Sequence, residues 1–183
     1  MVHEPDHEHY MRAALAEANR AAGEGEVPIG AVVTRNGAII AMAHNTRVSS
    51  KDPSAHAEIS AMREAARKLG DWRLDGCALY TTLEPCAMCA GAIGIARLDE
   101  VVFGAYDAKA GCAGSVRNIP CDAALGFSCK VTGGVLAEEC AAVISGFMKK
   151  LRAGDVKKSS LYIYEDETGA INGQAERRNE PIE

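Results

Sequence analysis

Cys86 and Cys89 stand three residues apart in "LEPCAMCAG", residues 83–91, at the end of an apolar run. That spacing puts both sulfurs on one face of a helix. A helix N-terminus carries about half a positive charge and favours thiolates. The pair is therefore primed for redox or for metal chemistry. Three sites share the spacing: a redox disulfide, a structural zinc site and a catalytic zinc site. A closed structural site needs four protein ligands. No second C-x-x-C exists, and Cys77, Cys112, Cys121, Cys129 and Cys140 are scattered. A strand, a turn and a C-x-x-C opening a helix suit a thioredoxin-like motif, but that reading leaves "AHAEI", residues 55–59, unused. The open catalytic pattern, three ligands plus water, uses both stretches. His56 supplies a nitrogen, and Cys86 and Cys89 supply two sulfurs. Glu58 lies two residues after His56, about 200° around a helix. It diverges from the ligand and is placed to reach a water over the metal. Zinc lowers the pKa of water to about 7, and a carboxylate beside it moves protons. The chemistry this implies is hydrolysis, with Glu58 as the catalytic proton carrier.

Those residues need elements to hold them. Residues 7–22 place Met11, Leu15 and Ala18 on one helical face, with Gly23 and Gly25 ending the helix. Two β-branched runs flanking "RNGA" predict a hairpin, with strands near 29–34 and 38–44. "KDPSAHAEISAMREAARKLG" reads as a helix capped by Asp52, with Pro53 in its first turn and Ile59, Met62, Ala66 and Leu69 as its buried stripe. "GCALYTTL" is nearly continuous in apolar and β-branched residues, which predicts a central strand. A second helix is expected from Pro85 and a fourth strand in "DEVVFGA". Residues 106–127, rich in Gly and Pro, predict a long functional loop with some helix. "CKVTGGVL" reads as a short fifth strand. "AEECAAVISGFMKKLR" reads as a last helix with Cys140, Val143, Ile144, Phe147, Met148 and Leu151 inward. Helices alternating with strands, opened by a hairpin, imply an α/β fold with a mixed sheet.

H-x-E followed by P-C-x-x-C is a signature of zinc-dependent nucleobase deaminases. The resemblance extends further. "EVPIGAVV", "HN", "DPSAHAEI", "WRLDGCALYTTLEPCAMCAGA", "VVFGAYDAKAGCAGS" and "VTGGVLAEEC" occur in order over roughly residues 7–152. Together they resemble the bacterial tRNA adenosine deaminases of the cytidine/deoxycytidylate deaminase superfamily, which convert wobble adenosine to inosine. The resemblance implies a three-layer α/β/α sandwich, cytidine-deaminase-like, with a mixed five-stranded sheet. It implies one Zn2+ per subunit on His56, Cys86 and Cys89, with Glu58 as the proton shuttle. It implies substrate contacts from Asn45 to the flipped nucleoside and from Val27, Pro28 and Ile29 as an apolar wall beside the base. Asp107, Lys109 and Ser115 would line the loop that faces the substrate. The partners implied are the anticodon loop of tRNA and a second subunit in a homodimer, with no membrane. Three departures fall in RNA-contacting regions: "CDAALGFSCKV" lacks the family's Asn-His pair, Tyr106 stands where a basic residue is common, and the helix end keeps only Lys149, Lys150 and Arg152. They leave a free nucleobase or nucleoside deaminase of guanine or cytosine type as the alternative substrate class. A nonenzymatic zinc or redox module is the alternative from another class.

The 183 residues predict one domain, with the deaminase domain over 1–153 and a polar C-terminal tail over 154–183. A net charge of −5 excludes a general nucleic-acid coat protein, though not a local basic patch. No apolar run is long enough to span a bilayer, and the first residues lack the pattern of a secretory signal. Seven cysteines without such a signal read as thiols and metal ligands of a cytoplasmic protein. His3, His7 and His9 read as a solvated arm, His44 as a satisfied rim histidine, and Cys77 and Cys140 as core. Trp72 is expected to pack at a helix–strand turn, with base stacking as the other use.

Overall fold

Asn36 and Gly37 both take left-handed backbone, at φ 51° and 77°. That two-residue turn matches the twist of the strands it joins. In the computed structural model, which describes residues 6–154, it folds β1 (Gly30–Arg35) antiparallel onto β2 (Ala38–His44). β3 (Cys77–Leu83) pairs antiparallel with β1, then β4 (Glu100–Ala105) and β5 (Lys130–Gly133) add in parallel. The sheet order is β2-β1-β3-β4-β5, so β3 is central, as its apolar run predicts.

The register makes two floors. Val32, Tyr80 and Val102 pair side by side and face α1 (His7–Gly23) and α5 (Ala137–Ala153). Val33, Leu79 and Val101 face the other way, toward α3 (Ala57–Leu69) and α4 (Ala87–Ile95). The result is the expected α/β/α sandwich on a mixed five-stranded sheet. α1 lies so close that a Cβ on Gly30 would stand 2.0 Å from the Ala14 carbonyl oxygen. Cys140, Phe147 and Leu151 of α5 are buried, while Val143, Ile144 and Met148 are half-buried. Two short 3-10 turns, Ile119–Cys121 and Ala123–Leu125, interrupt the long loop after β4.

Four details differ from the expectation. α3 begins at Ala57, not at Pro53, because Asp52 spends its carboxylate elsewhere. Its Oδ1 accepts from the backbone N–H and the hydroxyl of Ser54, at 2.8 and 2.7 Å, closing a turn instead of capping a helix. His56 is the actual N-cap, with extended backbone at ψ 153°. α4 likewise starts at Ala87 rather than Pro85, with Cys86 as N-cap at ψ 173°. The buried row of α3 is Ala57, Ala61 and Ala65 with Met62, whereas Ile59, Ala66 and Leu69 are only partly covered. Small residues there let the helix sit close to β1 and β2. Finally, one turn of helix, α2 (Arg47–Ser50), follows β2 where no periodicity announced it. The C-terminal tail beyond Gly154, and His3 at the other end, lie outside the described residues.

Candidate active site

Two helix N-termini meet at one point. His56 caps α3 and Cys86 caps α4, and neither side chain makes a capping hydrogen bond. Their extended backbones turn both side chains out of the helical spiral. Cys89 follows three residues after Cys86 and is fully buried. The His56 Nδ1 lies 3.7 Å from the Cys86 sulfur and 3.6 Å from the Cys89 sulfur. Tetrahedral zinc with usual bond lengths requires about 3.6 Å between a nitrogen and a sulfur ligand. One nitrogen, two sulfurs and that spacing fit zinc, and the set leaves a fourth position open. Among the described residues this is the only cluster of metal-ligating side chains.

Hydrogen bonds within the cluster and burial set the charges. The Cys86 thiol is pulled down to about 4, chiefly by a hydrogen bond from Cys89 and further by His56, against burial. Cys89 is pushed up by the same contact with Cys86 and by burial. His56 is raised mainly by its hydrogen bond to Cys86. Glu58, in the first turn of α3, is 3% exposed, and its Oε2 has no hydrogen-bond partner. Burial drives its carboxyl pKa upward. Glu58 stands outside the three-ligand cluster, as expected, though the separation owes to His56 sitting at the cap and not to helical rotation alone. An unpartnered, buried carboxylate oxygen beside a metal-type cluster is suited to taking and giving protons.

Two walls flank this centre. On one side, the Thr46 N–H donates to the Ala55 carbonyl at 3.1 Å, which ties Asn45 and Thr46 to the turn before His56. The Asn45 N–H donates to the Ile29 carbonyl at 2.9 Å, and Ile29 N–H to Val27 at 2.8 Å, so the Val27–Pro28–Ile29 stretch adjoins Asn45. Pro28 is buried, and Val27 and Ile29 are half-buried. On the other side, the Cys112 N–H donates to the Pro85 carbonyl at 2.8 Å, which lays the loop after β4 against the Cys86 turn. Asp107 organises the start of that loop: its Oδ1 accepts from the N–H groups of Lys109 and Ala110, at 2.9 and 3.1 Å. Lys109 itself is exposed.

The loop has an anchor that the sequence reading missed. Glu84, 2% exposed, accepts from the N–H groups of Asp107, Ala113 and Ser115, at 3.0, 3.1 and 2.8 Å, and from the Ser115 hydroxyl. Gly111 passes so near that a Cβ there would sit 2.3 Å from the Glu84 carboxyl carbon. Burial raises the Glu84 pKa, but the hydrogen bonds from Ser115, Asp107 and Ala113 outweigh it and hold the carboxyl below its ordinary value. A lowered folded pKa contributes stability above the unfolded value, about 4.3, and that stability is lost as pH falls through the lower folded pKa. Glu84→Gln is therefore expected to speed amide exchange at Asp107, Ala113 and Ser115 at neutral pH, with α1 amides unchanged. In the parent chain the same protection is expected to weaken only below about pH 4.3.

The other side chains fall as expected or outside the site. His44 is satisfied on the rim, with Nδ1 2.9 Å from Glu17 and Nε2 3.2 Å from Glu24. His7, expected in a solvated arm, instead opens α1 half-buried and meets the Tyr80 hydroxyl at 3.1 Å, while His9 is exposed. Cys77 and Cys140 are core, and Cys112 is a buried small residue of the loop. Trp72 is 61% exposed and lines a groove between α3 and α4 with Ile59, Met62 and Ala92, rather than packing into the core.

The chain matches the family profile for the cytidine and deoxycytidylate deaminase zinc-binding region over residues 4–105. It is 49% identical over 143 residues to the tRNA-specific adenosine deaminase of Bacillus subtilis, covering 78% of this chain and 89% of that one. A structure solved in work on A-to-I editing by tRNA:A34 deaminases at the wobble position of transfer RNA superposes with a TM-score of 0.71. The identity is 41%, over 74% of this chain and 98% of that one. A guanine deaminase from Nitrosomonas europaea superposes with a TM-score of 0.68 at 27% identity, over 79% of this chain and 85% of the other.

Proposed function

Since the chain belongs to the zinc-dependent cytidine and deoxycytidylate deaminase family, we propose that it hydrolyses wobble adenosine of tRNA to inosine, with His56, Cys86 and Cys89 as zinc ligands and Glu58 as general acid and base. The observation that carries this reading is the unpartnered Glu58 Oε2, buried beside a nitrogen and two sulfurs at zinc spacing. The ordered likeness to tRNA adenosine deaminases extends through the loop that would meet the anticodon.

Zinc, when bound, supplies the Lewis acidity that makes water nucleophilic near neutral pH. The chain's own groups do the rest. Glu58 takes a proton from the attacking water and delivers it to a ring nitrogen. It then carries the second proton to the departing amine, which leaves as ammonia. A carboxyl whose pKa is raised by burial holds a proton more firmly than a solvated one, which suits a group that must take a proton and then hand it on. Asn45 and the Val27–Pro28–Ile29 wall hold the flipped nucleoside on one side. Asp107, Lys109 and Ser115, on the loop that Glu84 anchors, meet the backbone of the anticodon on the other. A tRNA substrate makes the cytoplasm the working compartment.

The likeness to guanine deaminase and the missing Asn-His pair favour one second reading, a free-base deaminase. Ammonia release separates the two. Zinc-loaded protein is expected to act on an anticodon stem-loop with adenosine at the first anticodon position and to leave free guanine and cytosine intact. Release from free bases, with none from the stem-loop, would replace the first reading by the second.

A homodimer is part of the same proposal. Trp72 and Ile95 are 61% and 64% exposed, and the groove between α3 and α4 is lined by Ile59, Met62, Ala66, Leu74, Ala92 and Ala96. An apolar face on the two ligand-bearing helices suits a second copy. Ile95→Glu is expected to convert a dimer to a monomer in sedimentation equilibrium. A parent chain that sediments as a monomer would remove the dimer from the account.

A further inference from the structure

We propose that Glu26 is a positioning residue for the substrate: its buried carboxylate aims the Asn45 amide at the nucleoside. The inference rests on the deaminase reading above and goes one step behind it. Glu26 is 1% exposed. It accepts from Asn45 Nδ2 at 3.1 Å, from the Val48 N–H at 3.2 Å and from the Ser49 N–H at 2.7 Å. A carboxylate accepts and does not donate. It therefore decides which end of the Asn45 amide faces it: Nδ2 turns to Glu26, and Oδ1 turns away. Among the described residues, Asn45 Oδ1 takes no hydrogen bond from the protein. That oxygen and the second amide N–H are left for a ligand.

The backbone around the amide is held as well. The Asn45 N–H is bonded to Ile29 and the Thr46 N–H to Ala55, one residue before His56. What the backbone leaves free is the rotation of the amide, and Glu26 removes that freedom. Burying a carboxylate is unfavourable unless every oxygen is satisfied, and here the Asn45 amide and two N–H groups of α2 satisfy both oxygens. The charge thus adds orientation rather than packing. The same carboxylate also caps α2 through Val48 and Ser49. A purely structural role for Glu26 would run through that cap and would not depend on Asn45.

A double-mutant cycle separates the two roles. The substrate is the anticodon stem-loop with adenosine at the first anticodon position, and zinc content and melting temperature are recorded for each variant. Glu26→Gln and Asn45→Ala are each expected to raise KM roughly 10- to 100-fold, with a smaller change in kcat. Glu26→Gln is expected to add nothing further in the Asn45→Ala background. A second arm works through the partner. Asn45→Asp sets two buried carboxylates against each other and is expected to lose more than Asn45→Ala. Adding Glu26→Gln, whose amide donates to the new carboxylate, is expected to recover at least about tenfold. An active parent chain with equal Glu26→Gln losses in both backgrounds, or no recovery in the second arm, overturns the inference alone. A parent chain inactive on the stem-loop overturns the substrate reading and the inference with it.

Discussion

Glu58→Gln is expected to cut turnover roughly 10³-fold or more while the chain keeps its zinc. The substitution preserves shape and removes only the proton-carrying group. Glu58 lies outside the ligand cluster, so metal content is expected to stay at one ion per chain. Its Oε2 lacks a hydrogen-bond partner, so the fold loses no hydrogen bond there. Relief of a buried carboxylate is instead expected to leave the melting temperature unchanged or raised. Activity and stability should therefore move independently. A variant that loses zinc in parallel with activity would make Glu58 a ligand. One that keeps its turnover would show that the proton path runs elsewhere.

Removing a ligand has the second largest expected effect, and it separates an open catalytic site from a closed structural one. Cys86→Ala is expected to abolish activity and to bring zinc content from about one ion per chain to near zero under mild chelation. The chain itself should stay folded. Its two core clusters, around Leu79 and Val101 on one face and Tyr80 and Val102 on the other, are built by side chains of four helices and the sheet between them. A ligand held at about 100 times its Kd adds about 2.7 kcal/mol to folding, which for a chain of this size is roughly 5–10 °C in Tm. Chelation of the parent chain should therefore lower Tm by about that much and leave a cooperative transition. Complete unfolding on chelation would identify a structural site. A Cys86–Cys89 disulfide that forms readily and is needed for function would revive the redox reading.

The proposed ligand set was legible because its members carry chemistry in their residue types. H-x-E and P-C-x-x-C name His56, Glu58, Cys86 and Cys89 directly, and the strand runs place them at one end of a sheet. What was less legible has a common physical cause. Asp52 and Pro53 make a strong local start for a helix, but His56 needs extended backbone to turn its ring toward the cysteines, so the start moves to Ala57. Glu84 and Glu26 carry no periodic signal either. Their backbone partners are distant N–H groups, 23 to 31 residues away in the loop after β4 for Glu84, and 22 and 23 residues away in α2 for Glu26. One trace was present in the sequence. Each is a lone carboxylate beside an apolar run, in "EVPIGAVV" and "TTLEPC". Charged residues are almost never fully buried unless paired, so an acid in such a run marks a place where backbone donors must converge.

The two anchors also explain how one fold can hold a fixed centre and variable walls. Glu84, just before the Pro85–Cys86 turn, holds the loop after β4, and Glu26 ties Asn45 and α2 to the stretch that leads into β1. Neither touches the ligand cluster. Substitutions in the loop after Asp107 are therefore expected to leave the sulfurs where they are.

The most direct measurement is sequencing of total tRNA for inosine after incubation with zinc-loaded parent chain and, in parallel, with the Glu58→Gln variant. The account predicts inosine at the first anticodon position with the parent chain and none above background with the variant. Equal inosine from both would contradict the role of Glu58, and no inosine from either, with ammonia released from free guanine or cytosine, would contradict the substrate.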